Sequence, residues 1–134
     1  MTSIVKQCYY TPEEYLTQEE LSDFRNEYID GEIIPMTGGT QNHNEIAGNF
    51  YTSLKVALRG QNYKVYITDL RLWIPNYRVY TYPDIMVIKG QPILVENRQD
   101  NVTNPTLIIE ILSKSTKNYD QGDKFDYYSS LSTF

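Results

Sequence analysis

Residues 106–113 read Thr-Leu-Ile-Ile-Glu-Ile-Leu-Ser, and no other stretch limits the fold as much. A run this apolar and rich in β-branched residues predicts a strand buried on both faces of a sheet. Glu110 stands in its middle. An ionised carboxylate taken out of water is strongly disfavoured unless it is paired, hydrogen-bonded or bound to a cation. Residues 80–88 raise the same question, because this second apolar strand carries Asp84 directly after Pro83. Two inward acids on two central strands point to a hard cation, since Mg2+ and Mn2+ take carboxylate oxygens and water.

The rest of the composition narrows the class. A chain of 134 residues, 40% apolar and 22% charged, predicts one globular domain spanning 1–134. Its first eight residues form no apolar signal region and no segment reaches transmembrane length, so the expectation is a cytoplasmic protein without a membrane partner. One Cys and one His rule out an internal disulfide and the usual Cys/His zinc site. The net charge of −5 argues against a passive nucleic-acid binder. That acidity is local: residues 1–45 hold nine acids and two bases, residues 46–134 eight acids and ten bases.

Taken in order, Thr11-Pro12-Glu13-Glu14 predicts a capped helix running to about Leu21. Asp30-Gly31 between two β-prone runs predicts a two-residue hairpin, with Glu27, Ile29, Glu32 and Ile34 on one face. Gly38-Gly39-Thr40 precedes a helix expected from Asn42 or His43, with Gly60 as its stop and His43 on the inward stripe of Ile46 and Ala47. Residues 63–74 and 79–89 read as a long hairpin around Pro75-Asn76-Tyr77-Arg78. Residues 91–104 read as a connection with a short extended piece at 93–95. The Glu110 strand follows, and then a last helix, capped by Asn118 or Asp120, bearing Lys124, Phe125, Tyr127, Tyr128 and Leu131. This order predicts an α/β fold with a mixed sheet. The chain stops where another strand is expected, which predicts a C-terminally truncated chain whose open sheet edge pairs with a second copy as a homodimer.

An acid on one strand, Asp84 after proline, and a second acid 26 positions on, Glu110, resemble the PD-(D/E)XK nuclease pattern. The wider resemblance is to the Uma-two family of restriction-endonuclease-like proteins. It rests on residues 27–32, His43 at a helix start, residues 82–87, 109–116 and 123–128, and spans Tyr10 to Phe134. It implies a restriction-endonuclease-like mixed sheet flanked by helices, preceded by a short helix and a hairpin, and C-terminal strands beyond this chain. It also implies a Mg2+- or Mn2+-dependent endonuclease hydrolysing phosphodiester bonds of DNA. Asp84 and Glu110 then hold the metal, with the Ile111 carbonyl as a further ligand, and Glu27 orients a second metal or its water. The superfamily lysine two residues after the strand acid is Leu112 here. The family's lysine on the following helix matches Lys124, which becomes the catalytic lysine with Lys114 as its rival, and His43 becomes a residue lining the site.

Blander readings compete. Asp84 can serve a backbone amide, Glu110 a buried base, and Glu27 a partner across its hairpin. Glu32 reads as solvated, Glu45 as the third residue of a capping box from Asn42, Trp73 as core, and Tyr128 as a neighbour of Lys124. Arg59, Lys64, Arg71, Arg78 and Lys117 read as phosphate-tracking or simply solvated bases. The competing function is a non-catalytic nuclease-fold binding or scaffold module, favoured by Leu112 and the acidic first third. A glycoside hydrolase explains neither Lys124 nor acids embedded in central strands.

Overall fold

The computed structural model describes residues 9–36, 38–95, 98–113 and 122–134. Helix α1 (Pro12–Leu21) starts where the sequence places it, with a complete Thr11/Glu14 capping box. Strands β1 (Asn26–Ile29) and β2 (Glu32–Pro35) form the hairpin, pairing Ile29 with Glu32 and Glu27 with Ile34. Its turn needs left-handed backbone at Asp30 (φ 43°) and Gly31 (φ 102°), which the Asp-Gly pair tolerates. Helix α2 (Gln41–Ala57) is capped by Thr40, whose hydroxyl accepts from the His43 N–H. The cap lies two residues before Asn42, so the capping box from Asn42 to Glu45 does not form.

Residues 63–89 fold back on themselves in one hairpin that changes sheet halfway. Its outer pair, β3 (Tyr63–Ile67) and β6 (Ile85–Lys89), belongs to a three-stranded sheet; its inner pair, β4 (Arg71–Ile74) and β5 (Val79–Thr81), belongs to a six-stranded one. The stretch expected as one strand at 80–88 is therefore two strands with a corner at Tyr82-Pro83-Asp84. Proline has no N–H to continue a ladder, which breaks the pairing there. The opposite arm bends at Thr68 (φ 44°), whose N–H donates to the Asp84 carbonyl at 3.1 Å.

The six-stranded sheet runs β2-β1-β5-β4-β8-β7, with β7 (Leu94–Val95) and β8 (Arg98–Val102). Strand β8 pairs parallel to β4, so the sheet is mixed. Its sequence, Arg-Gln-Asp-Asn-Val, lacks apolar alternation, which is why it reads as a loop. The last strand, β9 (Leu107–Ile109), flanks β6 and lies at the edge of its sheet among the described residues. It is shorter than expected. Pairing stops at Ile85↔Ile109 because the Pro83 corner ends the neighbouring strand, and Leu107 is 43% exposed. Glu110 thus follows the strand's end. Helix α3 (Asp123–Ser129) has Gly122 at its N-cap position; the caps expected at Asn118 and Asp120 lie outside the described residues.

Alternation along the strands sorts three apolar clusters. Leu72, Ile74, Val79, Met86, Ile88 and Val102 pack between the two sheets, joined by Tyr128 and Leu131 from α3 and the segment after it. Tyr15 and Leu16 of α1 cover Tyr28 and Tyr80 on the outer face of the larger sheet. Tyr51, Leu54 and Leu58 from α2 and its C-terminal cap cover Val65, Ile85 and Val87 on the outer face of the smaller one. Strand β6 is apolar at successive positions because both its faces are covered. The result is helix, sheet, core, sheet, helix.

Gly31→Ala tests the hairpin that closes this architecture. An added Cβ meets Tyr9 Cδ1 at 2.7 Å on a positive-φ residue, so urea denaturation should show a loss of at least about 1 kcal/mol; an unchanged midpoint contradicts the turn geometry.

Candidate active site

The corner and the end of β9 are fastened to each other. The Asp84 N–H donates to Glu110 Oε1 at 3.3 Å, and the Ile111 N–H donates to Asp84 Oδ2 at 2.8 Å. The two acids read from the sequence therefore stand side by side. Each also has its own partner. His43 Nε2 lies 3.2 Å from Asp84 Oδ2. Lys124 Nζ donates to Glu110 Oε2 at 2.9 Å, and the Tyr128 hydroxyl donates to Glu110 Oε1 at 3.1 Å. Asp84 and Glu110 line one cleft of about 300 Å3 with Ile111, His43, Lys124, Arg25, Tyr82, Thr68 and the Gly38-Gly39-Thr40 segment.

Each residue reaches the cleft for a local reason. His43 sits in the first turn of α2, where Thr40 fixes the backbone, and a Cβ on Gly39 would meet its Nδ1 at 3.1 Å. Lys124 and Tyr128 are one helical turn apart on α3, and both are buried. Lys124 is only 4% exposed. Burying an ammonium this far demands a counter-charge, which Glu110 supplies. Leu112, at the superfamily lysine position, is 44% exposed, and Lys114 lies outside the described residues.

Tyr82 ties the cleft to the body of the protein. Its hydroxyl donates to Glu19 Oε2 at 2.7 Å and accepts from Arg71 Nη1 at 3.0 Å. Burial, and then the hydrogen bond to Glu19, push its pKa up to about 12, so it stays neutral at physiological pH. Arg71 also donates to Asn101 Oδ1 at 2.5 Å and Asp100 Oδ2 at 2.8 Å. Arg71 is thus an internal brace, not the solvated or phosphate-tracking base expected. Burial likewise drives the Tyr15 pKa far up.

Other candidates fall elsewhere. Glu27 is 6% exposed; it accepts the Thr81 hydroxyl and does not line the cleft. Glu32 is exposed. Arg78 pairs with Asp30 at 3.2 Å. Arg59 and Lys64 line a separate groove at the end of α2, and Lys117 lies outside the described residues. Trp73 packs on Tyr80, ring centroids 4.4 Å apart. Sequence reading missed Arg25 and Tyr82. Arg25 carried a signal, since it and Lys6 are the two bases of the acidic first 45 residues.

The donor set suits a hard divalent ion. Asp84 Oδ1 and the Ile111 carbonyl make no hydrogen bond among the described residues, and both residues line the cleft with Glu110. No group of three or more acid, His or Cys side chains gathers to hold a metal among the described residues. Mg2+ is commonly held by only one or two carboxylates, the rest of its shell being water and substrate phosphate, so a pair of acids is a sufficient protein contribution. Among those residues no helix is long and apolar enough to cross a membrane.

Comparison with known proteins gives the chain's family and its fold. A model of the Uma2 family, described as "Putative restriction endonuclease", matches residues 12–133. The chain is 40% identical over 121 residues to the uncharacterized protein sll1609 of Synechocystis sp., covering 90% of this chain and 68% of that one. A second Synechocystis protein, slr1290, also uncharacterized, is 37% identical, with coverages of 89% and 62%. The crystal structure of "a putative nuclease belonging to DUF820" from Anabaena variabilis superposes with a TM-score of 0.68 at 24% identity, over 86% of this chain and 65% of that one. That likeness shows a shared restriction-endonuclease-like fold, as the sequence predicts. The chain spans roughly two thirds of the length of these relatives.

The buried pair makes a sharp prediction. Lys124→Met removes the counter-charge of the Glu110 carboxylate and should cost about 3 kcal/mol by chemical denaturation, whereas the double variant with Glu110→Gln, which keeps an acceptor for Tyr128 and the Asp84 N–H, should recover much of that loss. Additive losses in the cycle contradict the pairing.

Proposed function

We propose that this chain, which belongs to the Uma2 family, carries the hydrolytic centre of a divalent-metal-dependent endonuclease acting on DNA. The observation that carries the reading is the fastening of Asp84 to the end of β9, which sets two carboxylates in one cleft with a lysine within hydrogen-bond reach. Asp84, Glu110 and the Ile111 carbonyl would hold Mg2+ or Mn2+. When bound, such an ion lowers the pKa of a water and offsets charge on the scissile phosphate.

The chain's own side chains do the positioning. The Ile111 N–H and His43 hold Asp84 Oδ2, which leaves Oδ1 without a hydrogen bond among the described residues. Lys124 and Tyr128 fix the Glu110 rotamer. Lys124 also sets a positive charge next to the Glu110 carboxylate, where it would stabilise developing hydroxide character on an attacking water. It would take this role from a helix, since Leu112 stands two residues after Glu110, where the wider nuclease pattern has lysine. Glu27 is a positioning residue: by accepting the Thr81 hydroxyl it secures the end of β5 just before the corner.

One observation favours the alternative of a non-hydrolytic scaffold: Glu110 already has its counter-charge in Lys124. Metal binding separates the two readings. Titration calorimetry with Mn2+ should give binding that Asp84→Asn and Glu110→Gln each weaken at least tenfold. Both variants should keep the wild-type circular dichroism and lose nicking of supercoiled plasmid. Equal binding by all three proteins, or nicking that survives in Asp84→Asn, contradicts the hydrolytic reading.

A further inference from the structure

The cleft holds a second cationic side chain that the chemistry above does not use. Arg25, between α1 and β1, is half-buried and lines the cleft with Asp84, Glu110 and Lys124. Arg71, Arg78 and Arg98 each pair with a carboxylate, whereas Arg25 has no carboxylate partner among the described residues. Its one hydrogen bond there runs from Nη1 to the Thr68 carbonyl at 2.7 Å, and its guanidinium carbon lies 5.6 Å from the Tyr82 ring centroid. A guanidinium has five N–H donors, so most of its fork remains to be satisfied. Because Arg25 is only part-buried, the rest of its fork is hydrated and can exchange that water for an anion entering the cleft.

The anchoring of Arg25 is rigid and refers directly to the acids. Thr68 is β-branched and held at φ 44°, a conformation such residues rarely adopt. Its carbonyl receives Arg25 and its N–H reaches the Asp84 carbonyl. One peptide step therefore links the guanidinium to the backbone of the carboxylate at the corner. Tyr82, under the Arg25 guanidinium, is itself held by Glu19 and Arg71.

We propose that Arg25 grips a phosphodiester of the bound nucleic-acid strand and so sets the register of the scissile bond over Asp84 and Glu110. This rests on the nuclease reading of the cleft. Its physical logic is charge: Lys124 is paired with Glu110 and a divalent ion would be shared between two carboxylates, so a further cation facing the cleft adds attraction for a polyanion that these offsetting charges do not supply. A planar fork matches two phosphate oxygens at once, which an ammonium does not. Arg25 touches the substrate backbone, reads no base, and serves any sequence alike.

Fluorescence anisotropy of a short labelled DNA duplex, with Ca2+ as the divalent ion and across about 50 to 200 mM salt, tests this on the whole chain. Arg25→Ala should weaken binding about tenfold and make the slope of log affinity against log salt shallower by about 0.9, one phosphate contact. Arg25→Lys should keep the slope while losing part of the affinity. Mn2+ calorimetry on both variants should match wild type. Unchanged affinity and slope in Arg25→Ala overturn the assignment. So does a loss of affinity without a change in slope in a folded Arg25→Ala, or failure of the wild-type chain to bind the duplex. Asp84-dependent nicking with an Arg25-independent slope leaves the nuclease reading standing and removes this one. An Arg25-dependent slope without nicking does the reverse.

Discussion

Two hydrogen bonds of opposite direction, Asp84 N–H to Glu110 and Ile111 N–H to Asp84, join two segments at the point where regular pairing ends. Everything placed at the cleft refers to that join. Strand β6 can pair with β9 only as far as Ile109, because Pro83 interrupts the chain before it. The backbone donors released beyond that point turn to carboxylates instead of a ladder. A buried N–H must find an acceptor, and here the acceptors are the two acids. The same break that ends the sheet therefore gathers the site.

The corner is stiff because it is shared by two layers. The residues before it belong to a sheet whose outer face α1 covers, and those after it to a sheet covered by α2. Buried Arg71 braces the corner through Tyr82, and strained Thr68 holds its far side. His43 arrives from α2 and Lys124 from α3, so three helices and two sheets each constrain one part of the cleft. Chemistry that needs side chains held to within fractions of an ångström is well served by such over-determination.

Parts of this were legible in the sequence for identifiable reasons. The first helix and hairpin follow from Thr11-Pro12-Glu13-Glu14 and Asp30-Gly31, where local chemistry and tertiary structure agree. Asp84 and Glu110 stand out because charge inside an apolar run is costly anywhere. The corner was hidden because 79–89 is apolar on both sides of Pro83, and periodicity does not report a change of sheet. Strand β8 escaped because its stabilising partner is a buried arginine, Arg71 bonding Asn101 and Asp100, and not an apolar face. Arg25 escaped because its role depends on Thr68 and Tyr82, 43 and 57 positions away.

The central claim is that Asp84 and Glu110 share one hard cation. The most direct measurement is anomalous scattering from a crystal of the chain soaked in Mn2+. The account predicts a single strong peak in the cleft, within coordination distance of both carboxylates and the Ile111 carbonyl. No peak there, or one elsewhere while His43–Asp84 and Lys124–Glu110 stay intact, would contradict it.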